Sequence, residues 1–179
     1  MSADRPTPEE LARAIRNIPD FPKPGIQFKD ITPLLADARL FAGAVDLMTA
    51  RCAPGTVDAV VGVDARGFIF AAAAALKLGA GFVPVRKKDK LPYQTIEESY
   101  NLEYGSNTVA IHADALRPGS RVLLVDDLLA TGGTARAATA RLIERLGASV
   151  CGFGFLVELL FLEGRKNLLE YPIHALIDY

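Results

Sequence analysis

Asp126 and Asp127 stand side by side behind four apolar residues, 122–125, and ahead of Leu128, Leu129, Ala130, Thr131, Gly132, Gly133 and Thr134. Each part of that run has a chemical use. Glycines allow positive φ and close approach of backbone amides to a ligand, a helix start adds unpaired N–H groups with a positive dipole end, and the two threonines add hydroxyls. Such a run cradles a phosphate. Paired carboxylates are poor partners for phosphate but accept well from neighbouring hydroxyls and attract Mg²⁺, directly or through water. A phosphate beside a diol is a ribose 5-phosphate, with Ala130, Thr131, Gly132, Gly133 and Thr134 on the phosphate and Asp126 and Asp127 on the hydroxyls. Taken singly, an Asp-Asp pair at a strand end faces solvent and a Gly-Gly pair makes a turn; the whole run is far more specific. Other phosphate motifs fail, because no GxxxxGK[ST] occurs and Gly152-Phe153-Gly154 lacks a third glycine.

Three further groups of residues could do chemistry. Asp64-Ala65-Arg66-Gly67 puts a guanidinium at a strand-to-helix turn, where its planar fork matches phosphate oxygens; an arginine at a surface ion pair fits the same pattern. Arg86, Lys87, Lys88 and Lys90 form a basic patch after another apolar run, which is either a solvated face or a partner for a polyanion. Glu97, Glu98 and Glu103 are chemically equivalent as proton carriers. His112 and His174 are the only histidines and show neither metal-ligand nor nucleophile spacing.

The elements that must position these groups alternate. Apolar runs at 58–63, 81–85, 121–125 and 149–157 predict strands, and 67–78 and 134–146 predict helices, the second closed by Gly147. That rhythm belongs to an α/β fold, a central mostly parallel sheet flanked by helices, with ligands at the carboxyl ends of its strands. Residues just after Val63, Val85 and Val125 should therefore converge. Between two of the strands, 87–107 is polar and lacks helical periodicity, which predicts a long loop, either a lid or a disordered segment. Near the start, Thr7, Pro8 and Glu10 make a capping box with a first-turn proline, and Leu11, Ile15 and Ile18 extend a helix toward Pro19. From Pro19 to Gly25, three prolines and a glycine stiffen a connector. A second helix is expected over 38–52.

The 179 residues, half of them apolar, suffice for one domain over 1–179, and a net charge of −1 gives no basic footprint for nucleic acid. Cys52 and Cys151 fit no CxxC pattern and read as reduced packing residues. The polar start of the chain is unlike a secretory signal, and the longest apolar run, 67–76, is too short to span a membrane. The expected setting is cytoplasmic, with neither nucleic acid nor membrane as a partner.

The run at 122–134 resembles the donor-binding signature of the type I phosphoribosyltransferases. The likeness extends through Asp20-Phe21-Pro22, Pro24-Gly25-Ile26, Phe28-Lys29-Asp30-Ile31, Gly62-Val63-Asp64-Ala65-Arg66-Gly67-Phe68, Val85-Arg86-Lys87, Leu102-Glu103-Tyr104-Gly105 and Leu156-Val157-Glu158-Leu159. It is greatest to the members that use adenine. The resemblance implies a type I phosphoribosyltransferase fold with a small hood over 1–35 and a flexible catalytic loop over 87–107. It also implies transfer from 5-phosphoribosyl 1-pyrophosphate to adenine, giving AMP and pyrophosphate, with Mg²⁺ as cofactor and a homodimer as the assembly.

On the same basis Asp64, Ala65, Arg66, Arg86 and Lys87 take the pyrophosphate, with Ala65 replacing the serine frequent in the family. Glu103 with Tyr104 serves the reacting centre, alongside Arg66. Ile26, Gln27 and Phe28 select the base, since a stiff backbone can offer one carbonyl and one N–H to the adenine edge; a 6-oxopurine presents the opposite pattern. Phe28 either stacks on the base or packs in a core. Rival readings are a 6-oxopurine as acceptor, and a regulator that only binds the donor.

Overall fold

The computed structural model describes residues 5–101, 106–133 and 140–179. The chain divides into two compact units, Met1–Leu47 and Met48–Tyr179.

In the first unit the capping box forms as expected at the head of α1 (Pro8–Ala14): Glu10 N–H donates to Thr7 Oγ1 at 3.3 Å and Thr7 N–H to Glu10 Oε2 at 2.9 Å. The helix is shorter than its periodicity suggests. At Ile15 the backbone turns extended, and 16–19 becomes β1 (Arg16–Pro19), antiparallel to β2 (Gln27–Asp30), with Ile18 opposite Phe28. The reason is Pro19, which disfavours helix for the residue before it, and a partner strand that satisfies the backbone instead. The proline-rich connector is the turn of this hairpin. Asp20 Oδ1 accepts from Gly25 N–H at 2.7 Å, and Gly25 takes φ 86°, open to glycine at little cost. After α2 (Thr32–Ala36), α3 (Ala38–Met48) ends short of the expected Cys52, because the chain turns at 49–52, with Cys52 N–H on Thr49 O, before reaching Pro54.

In the second unit the expected βα alternation is present. β3 (Ala59–Val63), wholly buried, leads through α4 (Gly67–Leu78) to β4 (Gly81–Lys87), and β7 (Arg121–Leu129) leads to β8 (Ser149–Glu158). Part of the second expected helix is described as α5 (Arg141–Arg145), and Gly147, at φ 76°, follows it. The 87–107 region departs from the expected loop. It contributes β5 (Thr95–Asn101) and the start of β6 (Ser106–His112), antiparallel and in register from Thr95 opposite His112 to Asn101 opposite Ser106. β5, polar and at the sheet margin, carries little hydrophobic periodicity, so the alternation that marks a half-buried strand is faint there. A last strand, β9 (Ile173–Asp178), had no sequence signal strong enough to assign it.

Among the described residues the order is β5-β6-β4-β3-β7-β8-β9. The five strands from β4 to β9 run parallel. Asp58, just before β3, accepts from the Arg121 guanidinium and N–H, which pulls its carboxyl down to about 2 and fixes the register of β3 on β7. Both cysteines are free thiols, but Cys151 is exposed on β8 rather than packed in the core. No described helix is long and apolar enough to cross a membrane.

Candidate active site

β3 stops at Val63, whereas its neighbour β7 runs on to Leu129. The connection after β3 leads to β4 on one side of this pair, and the connection after β7 leads to β8 on the other. Strand order therefore reverses between β3 and β7, and such a switch point leaves a crevice at the carboxyl ends. A cavity of about 520 Å³ opens there, bounded by Asp64, Ala65 and Arg66 on one wall and by Asp126–Gly133 on the other. Two motifs separated by some sixty residues of sequence meet for a topological reason.

β7 is longer than expected and includes both carboxylates, so Asp126 and Asp127 point to opposite faces of one strand. Asp126 turns toward α4. A Cβ on Gly67 would lie 2.6 Å from Asp126 Oδ1, so only glycine at the first position of α4 leaves room for that carboxyl. Asp126 Oδ1 accepts from Asp127 N–H at 2.8 Å. Burial, and then the neighbouring Asp127 charge, push the Asp126 carboxyl well above the ordinary carboxylate range, against the pull of Arg66. Asp127, 8% exposed, lies 2.7 Å from Arg66 Nε.

The raised Asp126 value has a consequence for stability. The folded protein favours the neutral acid, so its contribution is fully present below the ordinary value of 3.8 and is lost as pH rises through the folded value. Asp126→Asn, which keeps an acceptor for Asp127 N–H, is expected to melt roughly a few degrees above the wild type near pH 8, with the gap closing toward about pH 4. Scanning calorimetry across that range checks it; a gap independent of pH would refute it.

Arg86 does not line the cavity but joins it through Asp64: its Nε donates to Asp64 Oδ2 at 2.8 Å and its Nη1 to Lys90 O at 2.9 Å. Lys87, also outside the lining, ends β4 exposed and opposite Val109. The equivalence of the three glutamates is partly resolved. Glu97 pairs with Lys88 at 2.9 Å, and Glu98 with Arg141 at 3.1 Å and Arg145 at 3.2 Å, so both are tied down as structural ion pairs. Glu103, Tyr104 and Thr134 lie outside the described residues.

In the first unit Ile26 donates to Lys23 O at 3.2 Å and accepts from Phe21 N–H at 3.3 Å, leaving its carbonyl a second lone pair for an amino donor. Gln27 Oε1 accepts from Asn17 at 2.8 Å. Phe28 is half-buried and packs edge-on against Phe21, ring centres 5.2 Å apart, so it is not a buried core residue.

Sequence reasoning named Glu158 only as part of the resemblance at 156–159, gave it no role, and passed over the residues after it. Glu158 is 2% exposed at the end of β8 and is gripped by Arg165, whose Nε lies 2.8 Å from both carboxylate oxygens and whose Nη2 lies 2.7 Å from Oε2. The available signal was a charge closing an otherwise apolar run, since a buried charge needs a partner.

The profile of the phosphoribosyl transferase domain matches residues 27–170. The chain belongs to the phosphoribosyl transferase family. It is 58% identical over 170 residues to the adenine phosphoribosyltransferase of Desulfitobacterium hafniense, covering 95% of this chain and 98% of that protein. The crystal structure of adenine phosphoribosyltransferase from Rhodothermus marinus superposes with a TM-score of 0.91 at 52% identity, over 96% of this chain and 98% of the other. A Saccharomyces cerevisiae adenine phosphoribosyltransferase, crystallised with an imino-altritol bisphosphate and adenine, does so with a TM-score of 0.87 at 39% identity, over 94% and 97%. The mostly parallel sheet with its hairpin extension is thus the type I phosphoribosyltransferase fold.

Proposed function

We propose that this phosphoribosyl transferase moves the 5-phosphoribosyl group of 5-phosphoribosyl 1-pyrophosphate to N9 of adenine. A C–N bond forms at the anomeric carbon as the C–O bond to pyrophosphate breaks, with inversion, and the products are AMP and pyrophosphate. The observation that carries this reading is the cavity at the switch point, where an arginine turn and a glycine-rich turn with two carboxylates face each other. The adenine specificity named for the yeast, Rhodothermus and Desulfitobacterium relatives supports the choice of base.

In this reading Ala130–Thr134 cradles the 5-phosphate, while Asp126 and Asp127 accept from the ribose hydroxyls. Asp64, Ala65 and Arg66 take the pyrophosphate, helped by Arg86 and Lys87. Arg66 and Asp127 neutralise each other across the crevice. Donor binding exchanges that pair for contacts from Arg66 to pyrophosphate and from Asp127 to a hydroxyl. Ile26, Gln27 and Phe28 read the adenine edge and face. Glu103 exchanges the proton of the purine nitrogen, with Tyr104 beside it, on the segment that joins β5 to β6 and serves as the lid that keeps water from the cationic sugar.

Mg²⁺ fits this donor set as a substrate-held ion. Asp126 and Asp127 offer hard oxygen ligands, but Arg66 already engages one of them, so phosphate oxygens and water would supply most of the shell. When bound, the ion neutralises charge building on the departing pyrophosphate. We further assign the chain to a homodimer working in the cytoplasm, as one phosphoribosyltransferase domain over 1–179 with residues 1–35 as its hood. The test is a panel of labelled adenine, hypoxanthine, guanine and uracil with donor and Mg²⁺. AMP from adenine alone is expected, and product from a 6-oxopurine or from no base at all would overturn the assignment.

A further inference from the structure

A glycine-rich turn is a poor phosphate site unless something holds its shape, because glycine gives up the most backbone freedom on ordering. In this chain the turn at 130–133 has a support behind it. Asn167 Nδ2 donates to Thr131 O at 2.8 Å. Gly164 fits so closely that a Cβ there would fall onto Ala130 O and come within 3.1 Å of Leu129 Cδ1. A Cβ on Gly132 would in turn meet Gly164 O at 2.5 Å and Asn167 Cβ at 3.3 Å. Leu159 N–H donates to Leu129 O at 2.9 Å, and the segment is pinned by the Arg165 fork on buried Glu158 and by fully buried Leu168. On the other side of the turn, Tyr100 of β5 stands 3.5 Å from where a Gly133 Cβ would be.

We propose that Glu158–Asn167 is a buttress that presets the 5-phosphate turn, and that Asn167 is its positioning residue. In a trans peptide the C=O and N–H point opposite ways. By drawing Thr131 O toward itself, Asn167 turns the Gly132 N–H away, toward the cavity that Thr131, Gly132 and Gly133 line. Donors aimed before the ligand arrives cost no reorganisation on binding. The inference rests on the reading of 130–133 as the 5-phosphate site.

Asn167 is exposed, so substitutions there leave the core intact. Asn167→Ala removes the donor, and Asn167→Asp replaces it with an acceptor of the same shape. Calorimetric titration with ribose 5-phosphate and, separately, with pyrophosphate reads the effect. Both variants are expected to bind ribose 5-phosphate about three- to tenfold more weakly, the range one hydrogen bond commands, and to melt at most roughly 2–4 °C lower, while pyrophosphate affinity stays at its wild-type value. The KM for donor should rise by the same factor with little change in the KM for adenine. Unchanged ribose 5-phosphate binding, or equal weakening of both ligands, would overturn the buttress. Wild-type AMP formation is measured alongside: an inactive wild type would overturn the transfer reading, whereas an active one with unaltered variants would overturn only the buttress.

Discussion

Arg66→Met is expected to lower kcat/KM for the phosphoribosyl donor by about 10²–10³-fold, the usual cost of removing one preorganised charged donor from a reacting oxyanion. Arg66 sits at the head of α4 on the cavity wall, its Nε 2.7 Å from Asp127. Two losses combine in the variant. The pyrophosphate loses a planar fork, and Asp127 loses the cation that offsets its charge, so an uncompensated carboxylate faces an incoming polyanion. Arg66→Lys restores a charge but not the fork and should recover only part of the rate. Steady-state kinetics at saturating adenine provide the check. A loss below fivefold for Arg66→Met would remove Arg66 from the donor site.

The second large effect concerns stability. Arg165→Met leaves the Glu158 carboxylate, 2% exposed, without its cation, a change that typically costs about 3–5 kcal/mol. Arg165 is itself 45% exposed, so solvent softens the loss toward the lower end. For a chain of this length that corresponds to a fall in Tm of roughly 6–12 °C. Removing both charges tests the cause: Glu158→Leu combined with Arg165→Met should recover most of the loss, because replacing a buried pair by apolar groups is often near neutral. Thermal denaturation of the single and double variants reads the outcome. A double variant no more stable than Arg165→Met would mean that Arg165 acts by packing and not by charge.

The two effects separate because they act on different links of the same chain of causes. Arg66 bears on charge at the crevice. Arg165 bears on the segment that shapes the turn beneath it, so its loss should also weaken ribose 5-phosphate binding, through Gly164 and Asn167.

How much of this was legible in residue order differs from element to element. The buried strands β3, β7 and β8 and the helix α4 stood out, since runs covered on both faces need no neighbour to declare them. The capping box of α1 was equally local, being a hydrogen-bonded exchange between residues three apart. The carboxylates and glycines at 126–133 announced a sugar phosphate by their types alone, because diol acceptors and a phosphate cradle are short-range chemistry. Where the chain follows long-range pairing, the pattern fell short. The end of α1 was decided by the pairing of Arg16–Pro19 with Gln27–Asp30. The polar strand β5 read as part of a loop, because it is defined by its pairing with β6 more than by apolar alternation.

The sequence by itself determined the kinds of group available: a guanidinium at one strand-to-helix turn, and two carboxylates with a glycine-rich run at another. Tertiary structure alone decided that these meet. β3 ends while β7 continues, and the strand order reverses between them. Only folding could place Asp126 against Gly67 and Asp127 against Arg66, which gives two adjacent carboxylates different environments on opposite faces of one strand. Only folding could bring Asn167 behind Thr131, thirty-six residues away in the chain. Local chemistry is written in neighbouring residues, whereas burial, pairing and support depend on partners that sequence order keeps apart.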